Sequence, residues 1–232
     1  MKLAIMQPYF FPYCGYFQLM AAVDAFVVYD NIKYTKKGWI NRNRIQVRGA
    51  ESLISLPLKK DSDFLDIRER QLSATFDRNK LCNQIIGAYR HAPSFSAVMP
   101  VVEEIIQNPD ENLFNYLWQS LNRLRDYFGF SCELIVSSAL PANHALKSQD
   151  RVIDICQVMN ARTYINPPGG MALYSREDFV DRGLELKFIQ PQPWHYPHSD
   201  AAFIPWLSII DVMMFNPRNE VVRRLQHGYE LI

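Results

Sequence analysis

Residues 2–30 read KLAIMQPYFFPYCGYFQLMAAVDAFVVYD. Lys2–Gln7 is apolar and short, which predicts a strand entering a core. Pro8 and Pro12 then force a loop, because proline fixes φ and drives the residue before it away from helical geometry. Gly15–Ala22 has the pattern of a short helix. Ala25–Asp30 (AFVVYD) is apolar, β-branched and aromatic, the composition of a strand buried on both faces. Strand, loop, helix and strand in this order make a βαβ unit, which implies a parallel pair with a right-handed crossover. Residues 3–23 carry no charge, but the two prolines, Gln7, Gln18 and three tyrosines argue against a signal peptide or membrane helix.

Working outward, the basic segment Asn31–Trp39 leads to strands expected at Arg44–Val47 and Leu53–Leu58, and Lys59–Asp66 is a charged loop. A helical stretch is expected over about residues 77–129. Asp77 caps its first helix and Ser94 its second, with Pro100 near the second helix's first turn. Asn108-Pro-Asp-Glu111 reads as a cap, proline at the first position and glutamate at the third. Leu113, Leu117, Leu121, Leu124 and Phe128 recur at helical spacing up to Gly129. The α/β pattern then resumes: strand Glu133–Val136, helix Ser148–Asn160, strands Arg162–Ile165 and Leu184–Ile189, a turn-helix over Phe203–Phe215 and a tail helix over Arg218–Leu225. The expectation is one α/β domain over residues 1–232. It has an open, mostly parallel sheet, helices on both faces and a helical insertion.

A formal net charge of +1 disfavours a protein built around a nucleic-acid backbone. Cys14, Cys82, Cys132 and Cys156 match no zinc spacing and read as reduced, buried thiols, which suits a cytoplasmic protein. His195-Tyr-Pro-His198 resembles a metal pair, but Pro197 forbids the helical spacing and no carboxylate signature accompanies it, so surface or outlying histidines are expected. P-loop, dinucleotide-binding and nucleophile-elbow signatures are absent.

In open parallel sheets, ligands bind beyond the carboxyl ends of strands, so the loops after strands carry the candidates. In Gln7–Tyr16, Gly15 lets backbone come close to a ligand at a helix start. Tyr13 and Tyr16 face the site, while Phe10, Phe11 and Phe17 pack inward. In Lys36–Arg44, Arg42 and Arg44 lie on one face of a strand, interleaved with Asn41 and Asn43. With Lys37 and the stackable Trp39 they suit a diphosphate. Their other reading is a solvated basic edge. Asn166-Pro-Pro-Gly169-Gly170 through Tyr174 is either an anion nest or a plain turn. His144 and Lys147 sit in a polar loop as a reserve base and phosphate contact. Asp30, at a strand's carboxyl end, is the candidate for orienting or deprotonating an amine. No metal ligands are assigned.

The segments MQPYFFPYCGYFQLM (6–20), VVYDNIKYTKKGWINRNRI (27–45), YINPPGG (164–170) and FIPWLSIIDVMMFN (203–216) resemble the WbqC-like family in order along nearly the whole chain. That resemblance implies a place in bacterial surface-polysaccharide and O-antigen biosynthesis. The implied chemistry is amide formation, by acyl or aminoacyl (for example glycyl) transfer to a nucleotide-linked 4-amino-4,6-dideoxy sugar. The nucleotide-linked sugar is the implied partner, in a monomer or homodimer, without DNA or membrane. The donor stays open between an adenylate made with ATP and Mg²⁺, a thioester such as acyl-CoA, and an aminoacyl-tRNA. Pro12-Tyr-Cys-Gly-Tyr16 is also similar to the P-x-H-x-G-H turn of adenylate-forming nucleotidyltransferases, with Tyr13 and Tyr16 in place of both histidines. This implies a HUP/Rossmann-like N-terminal unit. Two alternatives follow: an ATP-dependent nucleotidyltransferase-like enzyme, and a non-catalytic nucleotide-sugar-binding partner protein.

Overall fold

A computed structural model describes residues 1–198 and 203–232. Lys2–Met6 (β1) leads through the proline loop to Cys14–Ala21 (α1) and Ala25–Val28 (β2). β1 and β2 pair in parallel, with Leu3 opposite Ala25 and Met6 opposite Val28, so the βαβ unit forms as the sequence indicates. Arg42–Val47 (β3) and Ala50–Ser55 (β4) follow, then three helices, Arg78–Tyr89 (α2), Phe95–Ile106 (α3) and Leu113–Phe128 (α4). The α/β alternation resumes with Glu133–Val136 (β5), Ser148–Val158 (α5), Thr163–Asn166 (β6), Arg176–Val180 (α6) and Glu185–Pro191 (β7). Ile209–Phe215 (α7), Arg218–His227 (α8) and Tyr229–Leu231 (β8) complete the described elements.

The sheet runs β5-β2-β1-β6-β7-β8. Its first five strands are parallel and β8 is antiparallel to β7. The chain winds outward from β1 in both directions, so the strand order reverses between β1 and β6, the arrangement of doubly wound sheets. Side chains alternate between faces as strand geometry requires. Ala4, Phe26, Val28, Ile165 and Ile189 join one core with α1, α2–α4 and α7. Leu3, Ile5, Val27, Tyr164 and Phe188 join the other with Val152 and Ile155 of α5 and Phe179 of α6.

Several local expectations change. β3 and β4 form their own antiparallel hairpin outside the main sheet, closed by Arg48 (φ 51°) and Gly49 (φ 81°). Positive φ at both central residues is the geometry whose twist suits a two-residue hairpin. The helix expected from Asn108 starts at Leu113. Asn108 and Asp110 instead accept bonds from the backbone N–H groups of Asp110 and Asn112, and Asn112 is the cap, accepting from Asn115 at 3.1 Å. Pro100 lies in the second turn of α3, and the Ser94 hydroxyl donates to the Asn216 carbonyl rather than capping. Only Ile209–Phe215 of the expected 203–215 element is helical, and Pro168–Leu173 is a 3-10 turn. α6 and β8 are additional elements.

Candidate functional site

Three segments far apart in sequence meet at the start of α1. The Phe10 amide donates to the Trp39 carbonyl at 3.3 Å, the Ile209 amide to Pro12 at 2.9 Å and the Ser208 amide to Arg44 at 2.8 Å. The turn 9–13 is thereby fixed between the segment leading into β3 and the segment leading into α7. Phe11 takes a left-handed φ of 41°, costly for a bulky residue. Its carbonyl is held by Asn43 Nδ2 at 2.7 Å and Ser208 Oγ at 2.9 Å. Trp206, on the third segment, also has positive φ (62°).

Two cavities open at this junction. The smaller, about 310 Å³, is lined by Tyr9, Pro12, Tyr13, Trp39, Arg44 and Trp206, together with Asn43. The larger, about 380 Å³, lies between the start of α1 and the chain that leaves β7. Tyr13, Cys14, Gln18, Trp194, His195 and Phe203 are among its walls. Tyr13 and Trp206 belong to both cavities, their ring centroids 5.8 Å apart and edge to face. Both volumes lie near the lower end of the range for small-molecule sites.

One cationic group, Arg44, lines the smaller cavity. Arg44 and Arg42 lie 5.2 and 6.0 Å from the Trp39 ring centroid, on the same face of β3. Arg44 donates to Glu51 at 2.7 Å and to the Trp206 carbonyl at 3.4 Å, and its buried Nε–H has no partner among the described residues. Arg42 Nε donates to the Gly38 carbonyl. Trp39 is 39% exposed. Burial raises the phenols of Tyr9 and Tyr13 above the usual value, and each therefore stays a hydrogen-bond donor. Burial and the nearby Asp211 carboxylate push the Cys14 thiol up to about 12.

The other candidates from the sequence are placed differently. Tyr16 is buried in the core and donates to the Gln7 carbonyl at 3.1 Å, so it does not face the site. The space over Gly15 is filled by the Tyr13 ring, which a Cβ there would meet at 2.5 Å, so the glycine admits a side chain of its own loop. Asn41 accepts from Tyr34 and donates to Leu56, and Asn43 is buried; both brace the loop. Lys37 is exposed nearby, and Lys147 is exposed just before α5. Asn166 is buried and accepts from Tyr164 at 3.2 Å, and a Cβ on Gly170 would overlap it; Gly169 is exposed. Tyr174 packs edge-on against Tyr164.

Asp30 and His144 belong to a second polar centre, beyond the ends of β2 and β5. Asp30 is buried and accepts from the Ser138 amide at 2.9 Å and the Ser138 hydroxyl at 2.5 Å. Arg151, also buried, donates to the Asn31 carbonyl at 3.2 Å and to the Asn31 side chain, and lies 4.8 Å from the Tyr29 ring centroid. Asn31 Nδ2 bonds His144 Nδ1 at 3.1 Å, and His144 Nε2 bonds the Leu140 carbonyl. Because a carbonyl only accepts, this arrangement sets the proton on Nε2.

A third network stands behind the larger cavity. Asp211 of α7 is fully buried and accepts from Tyr89 at 2.7 Å and Tyr196 at 2.7 Å, and pairs with His198 Nε2 at 2.9 Å. Of the two histidines expected at the surface or as outlying supports, His195 is exposed and His198 is buried against Phe215. Neither Arg151 nor Trp206 stood out in the sequence. Asp211 left a signal there, a lone carboxylate in the apolar run IIDVMMF.

This is an α/β protein with a doubly wound sheet and an aromatic, arginine-edged cleft at the first helix start. The chain belongs to the WbqC-like protein family, whose model matches residues 7–223. It is 27% identical over 218 residues to the uncharacterized protein Rv1507c of Mycobacterium tuberculosis, covering 93% of each chain. No solved structure matches it.

Proposed function

We propose that this protein binds a nucleotide-linked 4-amino-4,6-dideoxy sugar in the paired cavities and forms an amide on its amine. The reaction would be acyl or aminoacyl transfer, glycyl among the candidates, in bacterial O-antigen assembly. Family membership supports the biosynthetic setting. One observation carries the site: an aromatic cleft whose Arg44 and Arg42 flank Trp39 at one end, joined through Tyr13 and Trp206 to a larger cavity. Arginine forks suit phosphate oxygens, and aromatic faces suit flat or deoxygenated rings. In the transfer the sugar nitrogen bonds to the donor's carbonyl carbon, the carbon's bond to its leaving group breaks, and the amine sheds a proton.

In this reading Asp30 and His144 organise the strand-end loops. Their acceptor atoms already take hydrogen bonds from Ser138 and Asn31. The nucleotidyl-transfer alternative has less support, because Tyr16, in the second histidine's place, spends its hydroxyl on the Gln7 carbonyl in the core.

The test is incubation with a nucleotide-linked 4-amino sugar and, separately, acyl-CoA, glycyl-tRNA, or glycine with ATP and Mg²⁺, followed by mass spectrometry. An amide adduct with one donor is expected. Measurable binding with no adduct from any donor would favour the non-catalytic binding partner.

A further inference from the structure

The two cavities differ in chemistry as well as size. Among the described residues, the titratable or charged side chains other than phenols and the Cys14 thiol that line the cavities are Arg44, in the smaller, and His195, in the larger. The larger cavity offers aromatic faces, including Trp194 and Phe203, and the glutamines Gln18, Gln190 and Gln192; the Nε2 groups of Gln18 and Gln192 are taken by Arg224, Gly228 and Glu230, while the buried Gln18 Oε1 has no partner among the described residues. A primary amide both donates and accepts, as does the edge of a nucleobase. Aromatic rings stack on any base, since every base has a π-face. An amino sugar, by contrast, carries an ammonium near neutrality, and a charge in such a cavity without a carboxylate is costly. No carboxylate is among the described lining residues; Asp211 stands behind Tyr196 with its oxygens taken by Tyr89, Tyr196 and His198, and Glu230 accepts from Gln192.

We infer that the cleft is polarised: the larger cavity takes the nucleobase, the smaller takes the phosphates at Arg44, and the amino sugar extends outward past Trp39. This rests on the nucleotide-sugar reading above and adds the direction in which the substrate lies. Tyr13 and Trp206, common to both cavities, would flank the ribose between base and phosphate. The sugar amine, and with it the acyl donor, is then met at the open end beside Trp39.

Titration calorimetry on the whole protein separates the ends with four probes: uridine, UDP, inorganic pyrophosphate and glucose 1-phosphate. Phe203→Ala and the exposed His195→Ala alter the larger cavity, and Arg44→Ala the smaller, with thermal melts to confirm folding. His195→Ala serves where Phe203→Ala fails to fold. We expect larger-cavity variants to weaken uridine and UDP by about fivefold or more, the scale of one lost base stack, and to leave pyrophosphate and glucose 1-phosphate unchanged. Arg44→Ala should weaken UDP, pyrophosphate and glucose 1-phosphate by about tenfold and leave uridine unchanged. If the larger-cavity variants weaken glucose 1-phosphate and spare uridine, the direction is reversed and the inference is overturned while the cleft stands. UDP affinity untouched by all three variants removes the cleft as the nucleotide site altogether.

Discussion

Tyr13 and Tyr16 show what a single residue's pattern does and does not reveal. Both follow the same strand-to-helix turn, and hydroxyl chemistry alone gives them the same expectation. Their fates differ because Tyr13 precedes α1 while Tyr16 is one turn in, on the face that α1 turns to the core. A turn rich in aromatics does not say which ring is outward; packing decides. Arg42 and Arg44 were legible, since alternation on a strand places them on one face. Asn43 between them points the other way, and its bonds to Phe10 and Phe11 depend on partners more than 30 positions away in sequence. Cys14 gives a test at this scale. A cysteine in the first turn of a helix ordinarily has a lowered pKa. Here burial and Asp211 outweigh the helix end, and the thiol sits at about 12. At pH 8 the thiolate fraction is then about one in ten thousand. Peptide mapping after iodoacetamide treatment at pH 8 should show Cys14 alkylated at least about a hundredfold more slowly than free glutathione, the rate climbing with pH toward 12. Rapid labelling at pH 8 would show that the carboxylate and the burial do not act on this thiol.

Between elements, the strongest ties are buried polar ones that no periodicity announces. Asp211 joins α7 to α2 through Tyr89 and to the chain after β7 through Tyr196 and His198. Burial and the Asp211 carboxylate raise the Tyr89 and Tyr196 phenols, so both remain donors to it. Tyr196 also lines the larger cavity, so the same carboxylate that closes the core also fixes that wall. Asp211→Ala leaves three buried groups without their acceptor, and a loss of about 3–5 kcal/mol in urea denaturation is expected. Asp211→Asn keeps one acceptor oxygen and should lose less. A change below about 1 kcal/mol for the alanine variant would mean that these groups find other partners. Helix existence was easier to read than helix starts. The leucine spacing of α4 stood out, but its start moved to Asn112 because Asn108 and Asp110 turned the chain locally first.

Across the molecule, the sheet's direction was legible because AFVVYD and the proline loop impose a parallel pair. The reversal of strand order between β1 and β6 was not, since nothing local marks which strand β6 joins. The consequence for the site is direct. The cleft at α1 and the Asp30–Arg151–His144 centre both lie at the carboxyl edge of the sheet, the first past β1 and β7, the second past β2 and β5. Sequence alone gathers Asp30 and Arg44 into one site. In the structure Asp30 holds Ser138 with both oxygens, and Arg44 lines a cavity with Tyr13 and Trp39. Turnover of Asp30→Asn distinguishes a base from a clamp. Removing a general base typically lowers the rate by about 10²–10⁴-fold. A clamp that loses one charge-assisted bond loses about 1–3 kcal/mol of stability, with substrate bound as before. The geometry favours the second outcome: lower stability in denaturant, kcat for the proposed transfer within about tenfold of the parent protein and KM unchanged. A drop in kcat of a hundredfold or more at unchanged stability would return Asp30 to the chemistry. It would also require the reacting amine to lie near the end of β2, because a proton is taken only across hydrogen-bond distance or through one water.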